Sequence, residues 1–249
     1  MDITASVVSH HHGDQVFQLL TQLAAAGEGP RRVIATFNLP EPEWQARMQE
    51  MAWPFELMLT INAAPQGFGA NHNAAFRLDG THGANPAFAL LNPDIRLRRS
   101  PFPVLAALLA RYPRAGCAYP RQIDARGLPQ DHERLLPTAL RLLRRLSGRR
   151  QELNGQAEPD WVNAAFMLVR REAFASIGGF DERFHMYCED VDLCLRLRLA
   201  GWHLRRADEA VVEHLASRAS HRSPRHLAWH LASLIRLWRT PAFRHFAGR

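Results

Sequence analysis

The sequence predicts an α/β fold built on a mostly parallel sheet, and three observations carry that expectation. Ile3 to Ser9 and Arg32 to Phe37 are short β-branched runs, and between them Val16, Leu19, Leu20 and Leu23 recur at helical spacing. Strand, helix and strand in close succession make a βαβ unit, whose two strands run parallel. The 249 residues are 47% hydrophobic and 22% charged, a globular balance that excludes a mainly disordered, collagenous or disulfide-scaffold chain.

Along the chain, Ile3 to Ser9 is the first strand and Val16 to Ala26 the helix after it. Arg32 to Phe37 is the second strand, Glu43 to Met51 a helix, and Phe55 to Asn62 the third strand. The Gly67-Phe68-Gly69 turn leads into a helix that starts within Ala70 to Phe76. Phe88 to Leu91 is a short buried strand, broken by Asn92-Pro93-Asp94 because the proline biases its neighbour away from regular continuation. Pro103 to Tyr112 is helical by pattern. From about Asp124 to Glu158 arginine, proline and polar residues dominate, with Leu135, Leu136, Leu140, Leu143 and Leu146 spaced for one or two helices. That stretch is either a surface excursion or a basic face turned to an anionic acceptor or membrane. Trp161 to Val169 returns to strand character, Arg171 to Ile177 is a short helix ended by Gly178-Gly179, and Val191 to Ala200 is a stronger one stopped by Gly201. Ala210 to His214 is the last strand.

Residues 211 to 249 hold seven arginines against one acid, Glu213, and Leu227, Leu231, Leu234, Ile235 and Trp238 form the stripe of a basic amphipathic helix. The stripe lies on an anionic bilayer, on its own domain or on a second subunit of a homodimer. The expected division is a domain over residues 1–215 and a helical extension over 216–249.

Lys+Arg total 31 against 24 Asp+Glu, a net charge of +7, and every basic residue in that sum is arginine. Such a balance suits nucleic acid, an anionic membrane or a phosphorylated ligand. Zinc-finger spacing, a helix-turn-helix signature and an aromatic-basic repeat are all absent, so no nucleic-acid partner is expected. Cys117, Cys188 and Cys194 include no C-x-x-C pair and read as buried free thiols in a reducing compartment. With no secretory signal at the N-terminus and no run of 18 apolar residues, the expectation is a cytoplasmic protein, either free or peripheral on the inner face of the cell membrane.

Ligands of an open parallel sheet gather where loops and helix N-termini converge at the strand ends. Asn92-Pro93-Asp94 stands at such an end, and Asp94 offers the hard oxygen that a divalent cation uses while bridging to a diphosphate. By itself the tripeptide is more often an ordinary turn. Glu189, Asp190 and Asp192 crowd the start of a helix, where the dipole favours acids. The approach through Phe180, Phe184, Met186 and Tyr187 is apolar and aromatic, which puts these acids at a partly desolvated pocket edge. There a carboxylate can serve as general base for an attacking hydroxyl, with Asp94 near the metal and Asp190 near the hydroxyl. His214, at the end of the last strand, either completes a metal site with Asp94 or is an ordinary surface or hydrogen-bonded core histidine. His10, His11 and His12 diverge along a strand and so rim a pocket instead of sharing one ion. No G-x-x-x-x-G-K-[ST] loop, no G-x-G-x-x-G after a strand and no G-x-S-x-G elbow occurs, which disfavours ATPase, dinucleotide dehydrogenase and covalent hydrolase chemistry. Gly67 to Asn73, with glycine freedom followed by Asn71 and Asn73, suits a nucleotide-sugar pocket.

The segments Gly67 to Phe76, Leu91 to Asp94, Trp161 to Arg171, Gly178 to Glu182, Met186 to Cys194 and Gly201-Trp202 together resemble the inverting family 2 glycosyltransferases, more narrowly the rhamnosyltransferase-like members that build bacterial surface polysaccharides. Coverage runs from near the N-terminus to about His214. The resemblance implies a nucleotide-diphospho-sugar transferase of the GT-A type with a mixed, mostly parallel sheet, in which residues 1–215 are the catalytic domain. It implies a nucleotide-diphospho-sugar donor, dTDP-rhamnose at the family level, a saccharide or lipid-linked acceptor, and Mg2+ or Mn2+. Asp94 would stand for the last acid of the family's Asp-x-Asp motif, with Asn92 in the place of the first. Glu189-Asp190 would be the acidic motif with Asp190 as the base, and His214 the histidine that completes metal binding. Ser9, His10, Asn38, Gly69, Asn71, Asn73 and Asn92 fall on the donor side. Thr36-Phe37-Asn38 stands where an aspartate-bearing turn usually meets the base or ribose. Two other readings are a sugar nucleotidyltransferase, for which Val8 to Val16 lacks a glycine-rich basic loop, and a non-catalytic binding module, against which Asp94, Asp190 and His214 argue.

Overall fold

A computed structural model describes residues 1–146, 158–215 and 224–248. Strand β1 (Ile3–Ser9) and strand β2 (Arg32–Phe37) pair in parallel, joined by helix α1 (Gly13–Ala25), and α2 (Pro42–Glu50) then returns the chain to β3 (Glu56–Ile61), parallel to β2. Helix α3 (Phe68–Thr81) crosses back to β4 (Ala87–Leu91), which flanks β1 on its other side, also in parallel. The short β5 (Ile95–Arg96), α4 (Phe102–Arg111) and β6 (Ala115–Ile123) follow. Next come β7 (Glu133–Arg134), α5 (Ala139–Leu146), β8 (Trp161–Val162), β9 (Phe166–Arg170), α6 (Arg171–Ser176), α7 (Glu189–Leu199), β10 (His203–His214), α8 (Pro224–Arg239) and α9 (Pro241–Ala247). Eight strands form one sheet in the order β3-β2-β1-β4-β9-β6-β10-β5, while β7 and β8 pair separately. β9 runs antiparallel to both β4 and β6, and β5 antiparallel to β10, so the sheet is mixed.

Period-2 alternation divides the side chains between two apolar layers. Val33, Ala35, Phe37, Ala89 and Leu91 point to the side covered by α1 and α4, where Leu19, Leu20, Leu105 and Leu109 are buried. Ile34, Phe88 and Leu90 point the other way, into a layer with Phe174, Phe180, Phe184, Leu193 and Leu197. Leu234, Leu237, Ala242 and Phe243 of α8 and α9 belong to that second layer. Helices α8 and α9 therefore pack on this layer through one face, while Leu227, Leu231 and Ile235 of α8 remain exposed.

Several elements depart from the expected pattern: β10 begins at His203 and not at Ala210, and β5, β7 and α9 have no counterpart in the sequence reading. β6 carries no strand signal in the sequence because Pro120 sits inside it. Pro120 falls where the register to β10 shifts, between the pairs Ala207↔Pro120 and Val211↔Arg121, so its missing N–H falls at an irregularity in the ladder. The run Trp161 to Val169 is split into β8 and β9 at Asn163, whose side chain exchanges two hydrogen bonds with Gln122. All three cysteines are free and buried. Of the stretch from about Asp124 to Glu158, positions 147–157 lie outside the described residues, as do 216–223 and 249.

Candidate active site

The C-terminal ends of β1, β2 and β4 open on one side of the sheet. Ser9 closes β1 by donating to Glu41, whose other carboxylate oxygen accepts the Gly13 backbone N–H at 2.8 Å. Asn38, just past β2, is a hub. Its Oδ1 accepts from Asn62 Nδ2 at 2.9 Å and from the Gln66 backbone N–H at 2.7 Å, and its Nδ2 donates to the Gln66 carbonyl and faces His10 Nδ1 at 3.1 Å. Asn62 also donates to Asn71 Oδ1 at 2.6 Å, so Asn38, Asn62 and Asn71 form one amide network. Burial first, then the neighbouring His11 and His12, holds the His10 imidazole below its usual range.

Gly69 and Asn73 lie further inside. A Cβ on Gly69 would fall 2.6 Å from Phe180 Cβ, so this glycine lets α3 approach the 178–180 turn. Asn73 holds the same turn: its Oδ1 accepts the Phe180 N–H at 2.9 Å, and its Nδ2 donates to the Phe180 carbonyl and to Glu182. A Cβ added at Gly179, at φ +72°, would collide with Asn73 Oδ1, which requires glycine there. His72, wholly buried beside Ser6, is pushed down to about 3 by burial and is a neutral core residue.

Asn92 continues from β4 and donates its backbone N–H to the Ala165 carbonyl at 2.8 Å. Asp94 faces the end of β10, with Oδ1 3.5 Å from His214 Nε2, and the Leu215 N–H bonds its backbone carbonyl. Asp94 Oδ1 is buried and has no hydrogen-bond partner. Burial pushes this carboxyl up, but the imidazole beside it prevails and holds it below the usual range. His214 is 8% exposed. Among the described residues no three His, Cys, Asp or Glu side chains converge as a metal cage. Asp94 and His214 therefore offer a two-ligand site, one carboxylate oxygen and one imidazole nitrogen, that would draw its other ligands from elsewhere.

The acids lie at the start of α7, after Tyr187 and Cys188, both in the left-handed region at φ 69° and 65°. Glu189 is buried with Oε2 unpartnered, and burial together with the Asp190 charge pushes it up to about 8. Asp190 is half-buried. Burial raises it too, tempered by the Val191 and Ala164 backbone N–H groups and by the Arg134 guanidinium. Arg134 itself lies over the Trp161 ring at 5.1 Å. Asp192 is different, since it pairs with Arg196 one turn later at 2.6 Å and serves the helix. Ala164, next to Asp190, adjoins Ala165, next to Asn92, so the acidic turn and the Asp94 strand end meet across residues 164–165.

No family model matches the chain. It is 29% identical over 246 residues to the N-acetylglucosaminyl-diphospho-decaprenol L-rhamnosyltransferase of Mycobacterium tuberculosis, covering 90% of this chain and 79% of that one. Rhamnosyltransferase WbbL of Escherichia coli is 27% identical over 244 residues, 92% of this chain and 90% of its own. Among solved structures, the mannosyltransferase PcManGT from Pyrobaculum calidifontis, in complex with GDP-Man and Mn2+, superposes with a TM-score of 0.64 at 16% identity over 94% of this chain. TarS of S. aureus superposes with a TM-score of 0.65 at 12% identity over 97% of this chain. The chain spans 64% of the first of these structures and 40% of the second. This chain is a glycosyltransferase with the GT-A fold. It is related to rhamnosyltransferases.

Three features of this glycosyltransferase's site escape sequence reasoning. Glu41 ties the ends of β1 and α1 together from a turn that carries no motif. Gln130, in the loop after β6, donates to the His214 carbonyl and places Oε1 3.0 Å from His214 Nδ1 across 84 positions of sequence. His226 on α8 meets the Tyr187 hydroxyl. Each is a polar residue in a loop or terminal helix with no periodicity to mark it, and only the strand order reveals its partner.

Proposed function

We propose that this glycosyltransferase moves a sugar with inversion from a nucleotide-diphosphate donor, dTDP-rhamnose first among them, to a hydroxyl of a saccharide or lipid-linked acceptor in cell-surface polysaccharide synthesis. The observation that carries this reading is the meeting of two unlike acidic sites across Ala164 and Ala165. One is the Asp94–His214 pair and the other the Glu189–Asp190 turn. A displacement at an anomeric carbon needs positive charge at the leaving diphosphate and a base at the incoming hydroxyl.

Asp190, the more accessible acid, takes the acceptor proton. Glu189, held further above its ordinary range, keeps its own proton near neutral pH and leaves Asp190 as the single base. Asp94 and His214 would hold the divalent cation, which when bound neutralises charge on the departing diphosphate. The mixed oxygen and nitrogen set suits Mn2+, with Mg2+ as the harder alternative. Ser9, His10, Asn38 and the Asn62–Asn71 network face the nucleotide side, and Asn92 stands between nucleotide and cation. Where the family's acidic turn would meet base or ribose, Asn38 presents an amide already held at both ends.

The named M. tuberculosis relative supports a lipid-linked acceptor. Among the described residues no helix is long and apolar enough to cross a membrane. α8 has no acidic residue and exposes Leu227, Leu231 and Ile235 beside Arg225, Arg236 and Arg239, a composition suited to peripheral contact with the anionic inner face of the membrane. The same stripe suits a contact with a second copy.

The test is calorimetric binding of dTDP, UDP and GDP, each with and without Mn2+, followed by transfer assays with the matching sugar nucleotides. Manganese-strengthened binding of dTDP together with rhamnosyl transfer is expected. Metal-strengthened binding of a different diphosphate would reassign the donor, and no binding by the folded protein would overturn the reading. Asp94→Ala is expected to remove the metal response of diphosphate binding.

A further inference from the structure

The loop that leaves β6 is bolted to it at Gln130, whose backbone N–H bonds the Gln122 carbonyl at 2.8 Å and whose own carbonyl accepts the His132 N–H at 3.0 Å. From this fixed point the Gln130 side chain meets His214 twice. Its Nε2 donates to the His214 backbone carbonyl, and its Oε1 lies 3.0 Å from His214 Nδ1. A backbone carbonyl can only accept, so the amino group of Gln130 is committed to it and the amide oxygen must face the ring. Only a protonated Nδ1 answers that oxygen.

A neutral imidazole carries one ring proton. With that proton on Nδ1, Nε2 presents a bare lone pair 3.5 Å from Asp94 Oδ1, which is buried and has no hydrogen-bond partner. In the neutral ring two acceptors then face each other with no donor between them, whereas a ring protonated on both nitrogens would donate to Asp94 as well, the pairing that holds its carboxyl low. The opposite tautomer would point Nε2–H at Asp94 and close the pair on itself. We infer that Gln130 is a positioning residue that fixes the Nδ1–H tautomer of His214 and so keeps His214 Nε2 and Asp94 Oδ1 open together for a divalent cation. The cation part rests on the reading of Asp94 and His214 as ligands; the tautomer part does not. Outer hydrogen bonds of this kind commonly govern the affinity of a ligating histidine.

The test compares wild type, Gln130→Leu and Gln130→Glu, each labelled with 15N at histidine and metal-free at about pH 8. Two-bond 1H–15N correlations report the His214 tautomer, and electron paramagnetic resonance of free Mn2+ reports affinity. Wild type is expected to show Nδ1–H. Gln130→Leu is expected to shift towards Nε2–H and to bind Mn2+ about 10- to 100-fold more weakly. Gln130→Glu keeps an acceptor facing Nδ1 but loses the donor to the His214 carbonyl, and is expected to retain the tautomer. Nε2–H in the wild type overturns the inference, as does a Gln130→Leu protein unchanged in tautomer. A switched tautomer with undiminished Mn2+ affinity overturns the cation part. If Gln130→Leu does not fold, the wild-type tautomer and Gln130→Glu still decide. Asp94→Asn is measured alongside: Mn2+ binding indifferent to it would remove Asp94 from the site, while the metal-free tautomer would still judge Gln130.

Discussion

Tyr187 Oη and His226 Nδ1 stand 2.7 Å apart, and this bond fastens α8 to the turn from which both acids of the site are launched. Tyr187 and Cys188 are consecutive non-glycine residues in the left-handed region, a conformation that persists only where the surroundings over-determine it. α8 supplies those surroundings. Ser233 Oγ donates to the Met186 carbonyl at 2.8 Å, and the rings of Trp229 and His185 lie 5.0 Å apart.

Loosening that clamp is therefore expected to act on chemistry and to spare donor binding. Tyr187→Phe and His226→Ala should each lower kcat by about 10- to 100-fold, as displacement of a catalytic group does, with the donor KM little changed. Steady-state kinetics at saturating acceptor check this. A rise in donor KM with kcat intact would separate the turn from the catalytic step.

Asp190 should set the acid limb of the pH profile. Its carboxyl is raised to about 6 by burial, against the backbone N–H groups and Arg134 that lower it. A base works only when deprotonated, so kcat/KM is expected to rise with pH through that region. Removing the cation in Arg134→Ala favours the protonated carboxyl and should move the limb to higher pH. Asp190→Asn should cut transfer by about 10²- to 10⁴-fold and leave calorimetric donor binding near wild type.

The sequence makes the fold more legible than the site. The βαβ start was readable because β-branched runs and the Val16 to Leu23 spacing are local signals, and the observed β1 and β2 match the expected Ile3–Ser9 and Arg32–Phe37. Central β6 was not, because Pro120 hides a strand whose tolerance for proline depends on its partner β10. In the candidate site, Asp94, Asp190 and His214 carry local marks, strand ends and an acidic helix start. Gly69 and Asn73 were marked by the same motif, and the structure sets them against the 178–180 turn, a contact across more than a hundred residues that spacing does not encode. Gln130 was silent for the reason that made it useful: its role is to face another chain segment.

Burial of Glu189 should cost stability at neutral and alkaline pH. Its carboxyl is raised from 4.5 to about 8, first by burial and then by the charge of Asp190. Between those values the folded state keeps a proton that the unfolded chain has released, so stability declines as pH rises through the window and is undiminished below it. The neutral isostere in Glu189→Gln escapes this. Its melting temperature is expected to equal that of wild type near pH 4 and to exceed it by several degrees near pH 8. Repeating the measurement in an Asp190→Asn background should shrink the gap, because the second cause of the shift is then gone. Equal melting temperatures at both pH values would show that Glu189 is solvated.

Asp79 anchors the opposite end of the sheet and should govern stability without touching the site. It is wholly buried on α3, accepts from Thr4 Oγ1 at 2.5 Å, pairs with Arg32 at 2.6 Å, and also pairs with Arg171 after β9. These residues gather at the starts of β1 and β2 and the end of β9, away from Ser9, Asn38 and Asn92. Asp79→Ala would leave Arg32, itself 7% exposed, with the more exposed Glu56 as its remaining carboxylate beside the His82 and Gly83 carbonyls, and would strip Arg171 of its carboxylate. Breaking a buried pair from one side in this way costs about 3–5 kcal/mol, read as a lower urea midpoint with an unchanged slope. Diphosphate affinity of the fraction still folded should match wild type. An affinity that fell in step with stability would show that the two ends of the sheet are coupled.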